Sequence, residues 1–505
     1  MPPNAADQFQ KAVRLQARNE KLEAARSYVL ALQLQPRFFE AAFNLAVLLQ
    51  GMGQADEAIA CYRQALEVKP HYAPAWGNLG VALRDTGQNR EAMDCFRQAL
   101  RLNPDAADVV NNLGNLLRAE NELTEAVACF RTAARLSPAS AGIQANLGNA
   151  LRDLGCLDEA VEALHLAIRL QPDYADAHWD LAFTWLLQGD FLRGFEEHEW
   201  RWRRTDFPPR QLATPLWHGE NPTGRTLLVH AEQGAGDAIQ FVRFASLLAD
   251  QGARVILECP GALVALFQSV KGVQQVIAKG DPLPAFDWHV PIMSLPHRLG
   301  VTLNSLPSAV PYLQPPPDRQ LPLPRRDVGC KGALRVGLVW RGNPQHKNDA
   351  HRSMPLASLE RLFSLSNVEF FNLQLQSLAA TVRETAPHQA LIELQPLIHD
   401  FSDTAVLMRQ LDLIIAVDTS VAHLAGALAL PVWLLLPFAP DWRWLLKRED
   451  CPWYPTMRII RQPRPGDWTS VVTEIDNGLR SLASTVLSRE KLSPKATPAG
   501  TQNKA

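Results

Sequence analysis

The pattern of apolar positions changes once along the chain, near Gly224. Before that point apolar residues recur at helical spacing, and the whole stretch repeats itself. Prolines fall at Pro36, Pro70, Pro104, Pro138 and Pro172, each 34 residues from the next. Asn44-Leu45, Asn78-Leu79, Asn112-Leu113, Asn146-Leu147 and Asp180-Leu181 keep the same step. So do Ala24, Ala58, Ala92, Ala126 and Ala160, and again Ala31, Ala65, Ala99, Ala133 and Ala167. Four registers in phase over five periods specify one repeating unit. Each unit reads as two amphipathic helices. Gly80, Gly114 and Gly148, with the alanines, let the paired helices approach, while Trp76, Leu79 and Phe96 fill the seam. Gly53, Gly87 and Gly155 break the chain between helices, and each proline stops a second helix.

After Gly224 short apolar runs alternate with longer helical stretches, the signature of parallel βαβ units. Strands are predicted at Thr226–Ala231, Arg254–Cys259, Val273–Ala278 and Trp288–Ile292. A second set follows at Arg335–Trp340, Val368–Leu373, Leu413–Val417, Val432–Leu436 and Met457–Arg461. Between the sets, Gln314–Asp327 is too rich in proline for regular structure and reads as a linker between two lobes. From Ser488 the chain turns polar, and a disordered tail is expected. Residues 195–224 carry Trp200, Trp202 and Trp217 among arginines and prolines. An aromatic-basic nucleic-acid patch has that composition, but the tryptophans flank the change of period, which favours a packed junction.

Composition narrows the function. Fifty basic against 52 acidic side chains leave a net charge of −2, without the basic excess that neutralising nucleic-acid phosphates calls for. No apolar run reaches the roughly 18 residues of a membrane span; Ala422–Leu436 is interrupted by His423, Gly426 and Pro431. The first residues lack the charged-then-apolar order of a secretory signal. The seven cysteines form no CxxC pair. Cys61, Cys95 and Cys129 are again 34 apart, one repeated helix position rather than a metal site. A cytoplasmic protein with neither metal nor resident cofactor is expected.

Candidate chemistry gathers in four places. Asn44, Asn78, Asn112 and Asn146 form a ladder that could bind an extended peptide backbone, or could hold helices together. In the turn His230–Phe241 a strand runs into Gly234 and Gly236, where a ligand can approach the backbone. Asp237 at the helix start is either a general base or a cap. In Trp340–Leu356, Arg341, Asn343, Lys347 and Arg352 suit a diphosphate, a solvated loop being the other reading. In Leu411–Pro437 a buried strand delivers Asp418, Thr419 and Ser420 to a helix start. There the amides of Thr419, Ser420 and Val421 make an anion site. His423, one turn on, faces either a cleft or the core.

The repeats resemble the tetratricopeptide repeat, matching its W-x2-L-G, A-x3-F-x2-A and P pattern at Trp76, Leu79, Gly80, Ala92, Phe96, Ala99 and Pro104. The first unit (5–38) lacks the first-helix signature and the last (175–208) loses its second, as the capping of a solenoid requires. The resemblance implies a protein or peptide ligand on the concave face, and self-association is common in such arrays. In the second half, G-A-G-D near the start of the first lobe, V-G-L-V-W-R-G opening the second and D-T-S-V-A-H-L-A near the end resemble bacterial heptosyltransferase-like glycosyltransferases. The whole chain is similar to bacterial tetratricopeptide-repeat proteins carrying such a domain, and in architecture to protein O-GlcNAc transferases.

The implied fold class is α plus α/β: a TPR α-solenoid followed by a GT-B-like pair of Rossmann-type lobes. The corresponding divisions are repeats at 5–208, junction at 209–224, lobes at 225–313 and 331–487, linker at 314–330 and tail at 488–505. By this resemblance a nucleotide-diphosphate sugar is the co-substrate and transfer is inverting and metal-independent. Asp237 matches the base; Thr419, Ser420 and His423 match the donor-phosphate turn; Lys347 lies near the phosphate-side lysine. The chain has D-T-S where heptosyltransferases usually have D-T-G, so a heptose donor does not follow, and it holds no DxD motif. The expected activity is transfer of a sugar to a hydroxyl of a protein or glycan recruited by the solenoid. The alternative is a scaffold whose α/β half has lost catalysis.

Overall fold

A computed structural model describes residues 4–324, 333–345, 348–374 and 391–492, without the side chains of 485–492. The chain divides into two compact units, Met1–Leu181 and Ala182–Ala505.

The first unit is helical. Hairpins Ala5–Ala17/Lys21–Leu34, Phe39–Gln50/Ala55–Val68, Ala73–Asp85/Asn89–Leu102, Ala107–Ala119/Leu123–Leu136 and Ala141–Leu154/Leu157–Leu170 follow in register, and Ala175–Gln188 begins another. The turn inside each hairpin needs one left-handed residue. Gly53 (φ 77°), Gly87 (78°) and Gly155 (85°) supply it, as the repeat pattern anticipates; Asn19 (61°) and Asn121 (67°) occupy the same position in the units without glycine. Asparagine tolerates that conformation better than most residues with a Cβ, because its short amide bonds locally. The turn then closes a Schellman-type bond from the next residue to a carbonyl of the last helical turn, Gln54 N to Leu49 O at 3.0 Å and Glu122 N to Leu117 O at 2.8 Å.

Packing inside a hairpin rests on the missing side chain of the periodic glycines. A Cβ at Gly80 would lie 2.6 Å from the Phe96 ring, one at Gly114 2.9 Å from Phe130, and one at Gly148 2.6 Å from Leu164. Phe96, Phe130 and Leu164 are fully buried as a result. The first hairpin forms despite its irregular sequence, with Tyr28 buried in the seam and its hydroxyl donating to Gln16 Oε1 at 2.8 Å.

The second unit holds two parallel sheets. The first contains β1 (Thr226–His230), β2 (Arg254–Cys259), β3 (Val273–Ala278) and β4 (Trp288–Pro291) in the order β3-β2-β1-β4. The second contains β5 (Leu334–Val339), β6 (Val368–Asn372), β7 (Leu391–Glu393), β8 (Leu413–Val417), β9 (Val432–Leu436) and β10 (Met457–Arg461) in the order β10-β9-β8-β5-β6-β7. Strand β7 is absent from the sequence-based set because three residues carry too little periodicity to register. Numbered within its own sheet, the second order reads 6-5-4-1-2-3, the doubly wound arrangement. Chain direction reverses across the sheet between β5 and β8, and in the first sheet between β1 and β4. Val336, Leu338, Leu413, Ile415, Val417 and Leu435 are buried in the core beneath the second sheet.

Residues 195–224 are anchored to the first sheet's lobe at Arg201 and Trp217, while Trp200 and Trp202 are half-buried and much of 203–221 is exposed. Trp217 is buried, its N–H donates to the His289 carbonyl at 2.8 Å, and its indole N–H donates to Glu220 O. Arg201 has a fully buried side chain. It donates to Glu232 at 3.0 Å and to Ser294 Oγ at 2.6 Å, and it pairs with Glu199. The proline-rich stretch has no regular element in its described part, and the linker's residues 325–330 lie outside the described residues. The last helix, Trp468–Leu492, continues past residue 488, where the sequence placed the start of the tail.

Candidate functional site

Each sheet delivers a candidate turn at its switch point. β1 ends at His230 and, after Gly234, the chain enters the helix Ala235–Phe241. Asp237 is the third residue of that helix, and its Oδ2 accepts the Gly234 N–H at 3.0 Å. β8 ends at Val417, and Asp418-Thr419 leads into the helix Ser420–Ala427. The two helix starts touch. A Cβ on Gly236 would sit 3.1 Å from the His423 ring and 3.4 Å from Ser420 Cα. Glycine at 236 is therefore what lets the two turns approach, and it brings the G-A-G-D and D-T-S-V-A-H segments to one place.

A residue that sequence reasoning missed sits at the centre. Arg443, in the turn Trp442–Trp444 after β9, is 8% exposed. Its Nε donates to Gln240 Oε1 at 2.6 Å, one NH2 donates to Asp441 Oδ1 at 2.8 Å, and the other donates to Asp237 Oδ1. The guanidinium also stacks over the Trp442 ring, 4.6 Å from its centroid. Burial works against its charge, but Asp441 and Asp237 outweigh that and raise its pKa above the ordinary arginine range. The signal was present as an arginine between two tryptophans directly after a buried strand, which composition alone does not separate from core packing.

Around Arg443 the other charges are set by burial. Asp418 is pushed up to about 6, first by burial and then by the Asp441 carboxylate. Arg443 and Arg352 pull the other way, which places Arg352 of the second turn in the same electrostatic cluster. His423 is buried, and that burial, followed by the fields of Arg443, Arg243 and Arg352, holds its pKa well below the usual histidine range. Its Nδ1 lies 2.9 Å from the Tyr454 hydroxyl, and its ring stacks on Trp444 at 5.1 Å. Thr419 caps the helix with extended backbone, and among the described residues its buried Oγ1 has no hydrogen-bond partner. The first amides of any helix lack acceptors inside the helix, so this hydroxyl stands beside N–H groups that the helix itself does not use.

The second turn is only partly in the cluster. Asp349 is buried; it accepts from Ser353 Oγ at 2.8 Å and pairs with Arg352. Gly342 N–H donates to Ser353 Oγ at 2.8 Å. Arg341 is exposed, its backbone tied to the Gln374 amide, and Asn343 serves the turn itself by accepting from Gln345 N–H. Lys347 lies outside the described residues.

In the first unit Asn44, Asn78, Asn112 and Asn146 are all half-buried. Each has a partner within the chain: Asn44 with Tyr28, Asn78 with Tyr62, Asn112 with Arg84 at 3.4 Å, and Asn146 with Asn111 at 2.9 Å. Arg84, Arg118 and Arg152 share the 34-residue period and pair with Asp85, Asp153 and Asp180 respectively. The row is polar, and each asparagine has at least one neighbour within the chain while remaining half-buried.

Models of the tetratricopeptide repeat match residues 38–105, 82–141 and 148–189. The hairpins through Gln188 are a TPR array. Such an array is a protein-interaction scaffold. The chain is also 25% identical over 336 residues to protein FlbA of Caulobacter vibrioides, covering 62% of this chain and 56% of FlbA, so it spans little more than half the length of that relative. Among solved structures, YrrB, described as a TPR protein with an unusual peptide-binding site, is 24% identical. It has a TM-score of 0.32, and the match covers 35% of this chain and 91% of YrrB. PilF of Pseudomonas aeruginosa is 18% identical with a TM-score of 0.35, covering 41% of this chain and 93% of PilF. Among the described residues no helix is long and apolar enough to cross a membrane, and no cluster of three or more His, Cys, Asp or Glu could hold a metal ion.

Proposed function

We propose that the α/β half is a GT-B glycosyltransferase that moves a sugar from a nucleotide-diphosphate sugar to a hydroxyl acceptor recruited by the TPR array. The observation that carries this reading is the meeting of two switch-point turns, Gly234–Asp237 from one parallel sheet and Asp418–His423 from the other, around buried cations. Ligands of open parallel sheets lie outside the carboxyl ends of the strands at such points. The donor diphosphate would lie at the Thr419–Val421 helix start, with Arg352 and Arg443 neutralising the charge that develops on it. Asp237 would take the acceptor's hydroxyl proton as the acceptor oxygen bonds to the anomeric carbon. The bond from that carbon to the diphosphate oxygen breaks, and its electron pair leaves with the nucleoside diphosphate.

A thermal-shift screen of the full chain against UDP, GDP, ADP, CMP and their sugar conjugates tests the reading. A ligand at about 100 times its dissociation constant stabilises the folded state by roughly 2.7 kcal/mol. Stabilisation by one nucleotide class, lost in Ser420→Val and Arg352→Met proteins, is expected; silence across the panel in a cooperatively melting protein sinks it.

One observation favours the second reading, a non-catalytic scaffold. Both oxygens of Asp237 are engaged, one by the Gly234 N–H and one by Arg443. A carboxylate so held caps a helix and pins two lobes together, and needs no substrate to explain it.

A further inference from the structure

We propose that the Asp237–Arg443 ion pair is an internal latch: an incoming diphosphate takes Arg443 away from Asp237, and only then is Asp237 Oδ1 open to the acceptor hydroxyl. The inference rests on the glycosyltransferase reading above and adds an order of events to it.

The geometry sets up a competition. Arg443 is the one guanidinium among the described residues that contacts Asp237, and it also donates to Asp441 and Gln240. Its charge is felt at Asp418 and His423, on either side of the Thr419–Val421 helix start. A diphosphate settling there brings more negative charge and more acceptor oxygens than one carboxylate, and the guanidinium fork suits it in bidentate geometry. Asp441 and Gln240 hold the other nitrogens, so the guanidinium can exchange one partner without leaving its seat. While the latch is closed, each oxygen of Asp237 is tied to a donor, one to the Gly234 amide and the other to Arg443. When Arg443 turns to the diphosphate, Asp237 keeps only the Gly234 amide and its Oδ1 is open to an acceptor hydroxyl. An acceptor bound without donor would thus meet a carboxylate whose Oδ1 is held by the guanidinium.

The latch makes a prediction opposite in sign to an ordinary binding-site mutation. If Asp237 competes with the ligand for Arg443, then Asp237→Asn binds inorganic pyrophosphate and UDP more tightly than the wild type. An increase of about tenfold corresponds to about 1.4 kcal/mol of relieved competition. Arg443→Gln binds at least tenfold more weakly, and the double variant matches Arg443→Gln because no guanidinium is left for the loss of the carboxylate to release. Asp237→Thr, whose hydroxyl can still accept from the Gly234 amide, is the second variant should the asparagine disturb the helix start. Titration calorimetry on the full chain reads all of these. Equal or weaker binding by both Asp237 variants, with measurable wild-type binding, overturns the latch and leaves the donor site standing. No binding of pyrophosphate or of any nucleotide to wild type and variants alike removes both the donor site and the latch.

Discussion

Arg443 and Asp237 lie 206 residues apart in the chain and form a salt bridge that ties the second parallel sheet's lobe to the first. Arg443 is more than nine-tenths buried, and Asp237, Gln240, Asp441 and the Trp442 ring converge on its guanidinium. The contact is therefore both the best-defined feature of the candidate site and a structural joint.

Removing the cation alone should expose the cost of that joint. In Arg443→Met, Asp237 and Asp441 keep their charges without the partner, and a loss of about 3–5 kcal/mol in unfolding free energy is expected. Adding Asp237→Asn should recover part of it, because one orphaned carboxylate is then neutral. Urea denaturation of the two variants and wild type gives the comparison; additive losses would mean the pair is not energetically coupled.

Asp418 predicts a dependence on pH. Its folded pKa, about 6, is above the ordinary aspartate value of 3.8, so the folded protein binds that proton more tightly than the unfolded chain. The stability contributed by the proton is complete below about pH 4 and is lost as pH rises through 6. Asp418→Asn, neutral at every pH, should therefore melt higher than wild type at about pH 7.5, and the gap should narrow near pH 4.5. Melting curves at the two pH values decide it. A variant less stable at both would mean the ionised carboxylate is a favourable partner where it stands.

In the TPR array, Gly80→Val places a branched side chain where even a Cβ would be 2.6 Å from the Phe96 ring. Overpacking of this kind costs about 1–3 kcal/mol. Shortening the opposing ring with Phe96→Leu in the same protein should return some of the loss. The midpoint of helical unfolding by circular dichroism reports both. An unchanged midpoint would show that the hairpin separates freely.

Arg201 offers a parallel test at the junction. Glu232 is largely enclosed, and the loss of water around its carboxyl outweighs Arg201 in holding its pKa above the usual carboxylate range. Arg201→Met removes the partner of Glu232 and Glu199 and should cost about 3–5 kcal/mol at neutral pH. The double variant with Glu232→Gln should be closer to wild type, as read by chemical denaturation.

The repeating half was legible in the chain itself. A 34-residue period fixes two helices, their glycine contact and their left-handed turn, because each of these depends on residues within one unit or its neighbour. Asn19 and Asn121 show the rule at work: where glycine is absent, the sequence still supplies the residue that best tolerates positive φ. Among the described residues nine of the ten strands were legible for the same local reason, and the three-residue β7 was not.

The site was legible only in its parts. Gly234–Asp237, Arg352 and Asp418–His423 stood out as turns after strands, yet nothing local said that Gly236 would rest on Ser420 and His423. Arg341 and Asn343, chosen by the same criteria, serve the exposed surface and a turn. Arg443 escaped notice because a charged residue between tryptophans looks like a solvated side chain until the fold buries it against two carboxylates. Sequence alone determined which segments turn, coil and repeat, since those are short-range preferences. Which charges meet, and which of them lose their water, was decided by two sheets folding far-separated turns together, because burial and Coulomb energy depend on distance in space and not along the chain.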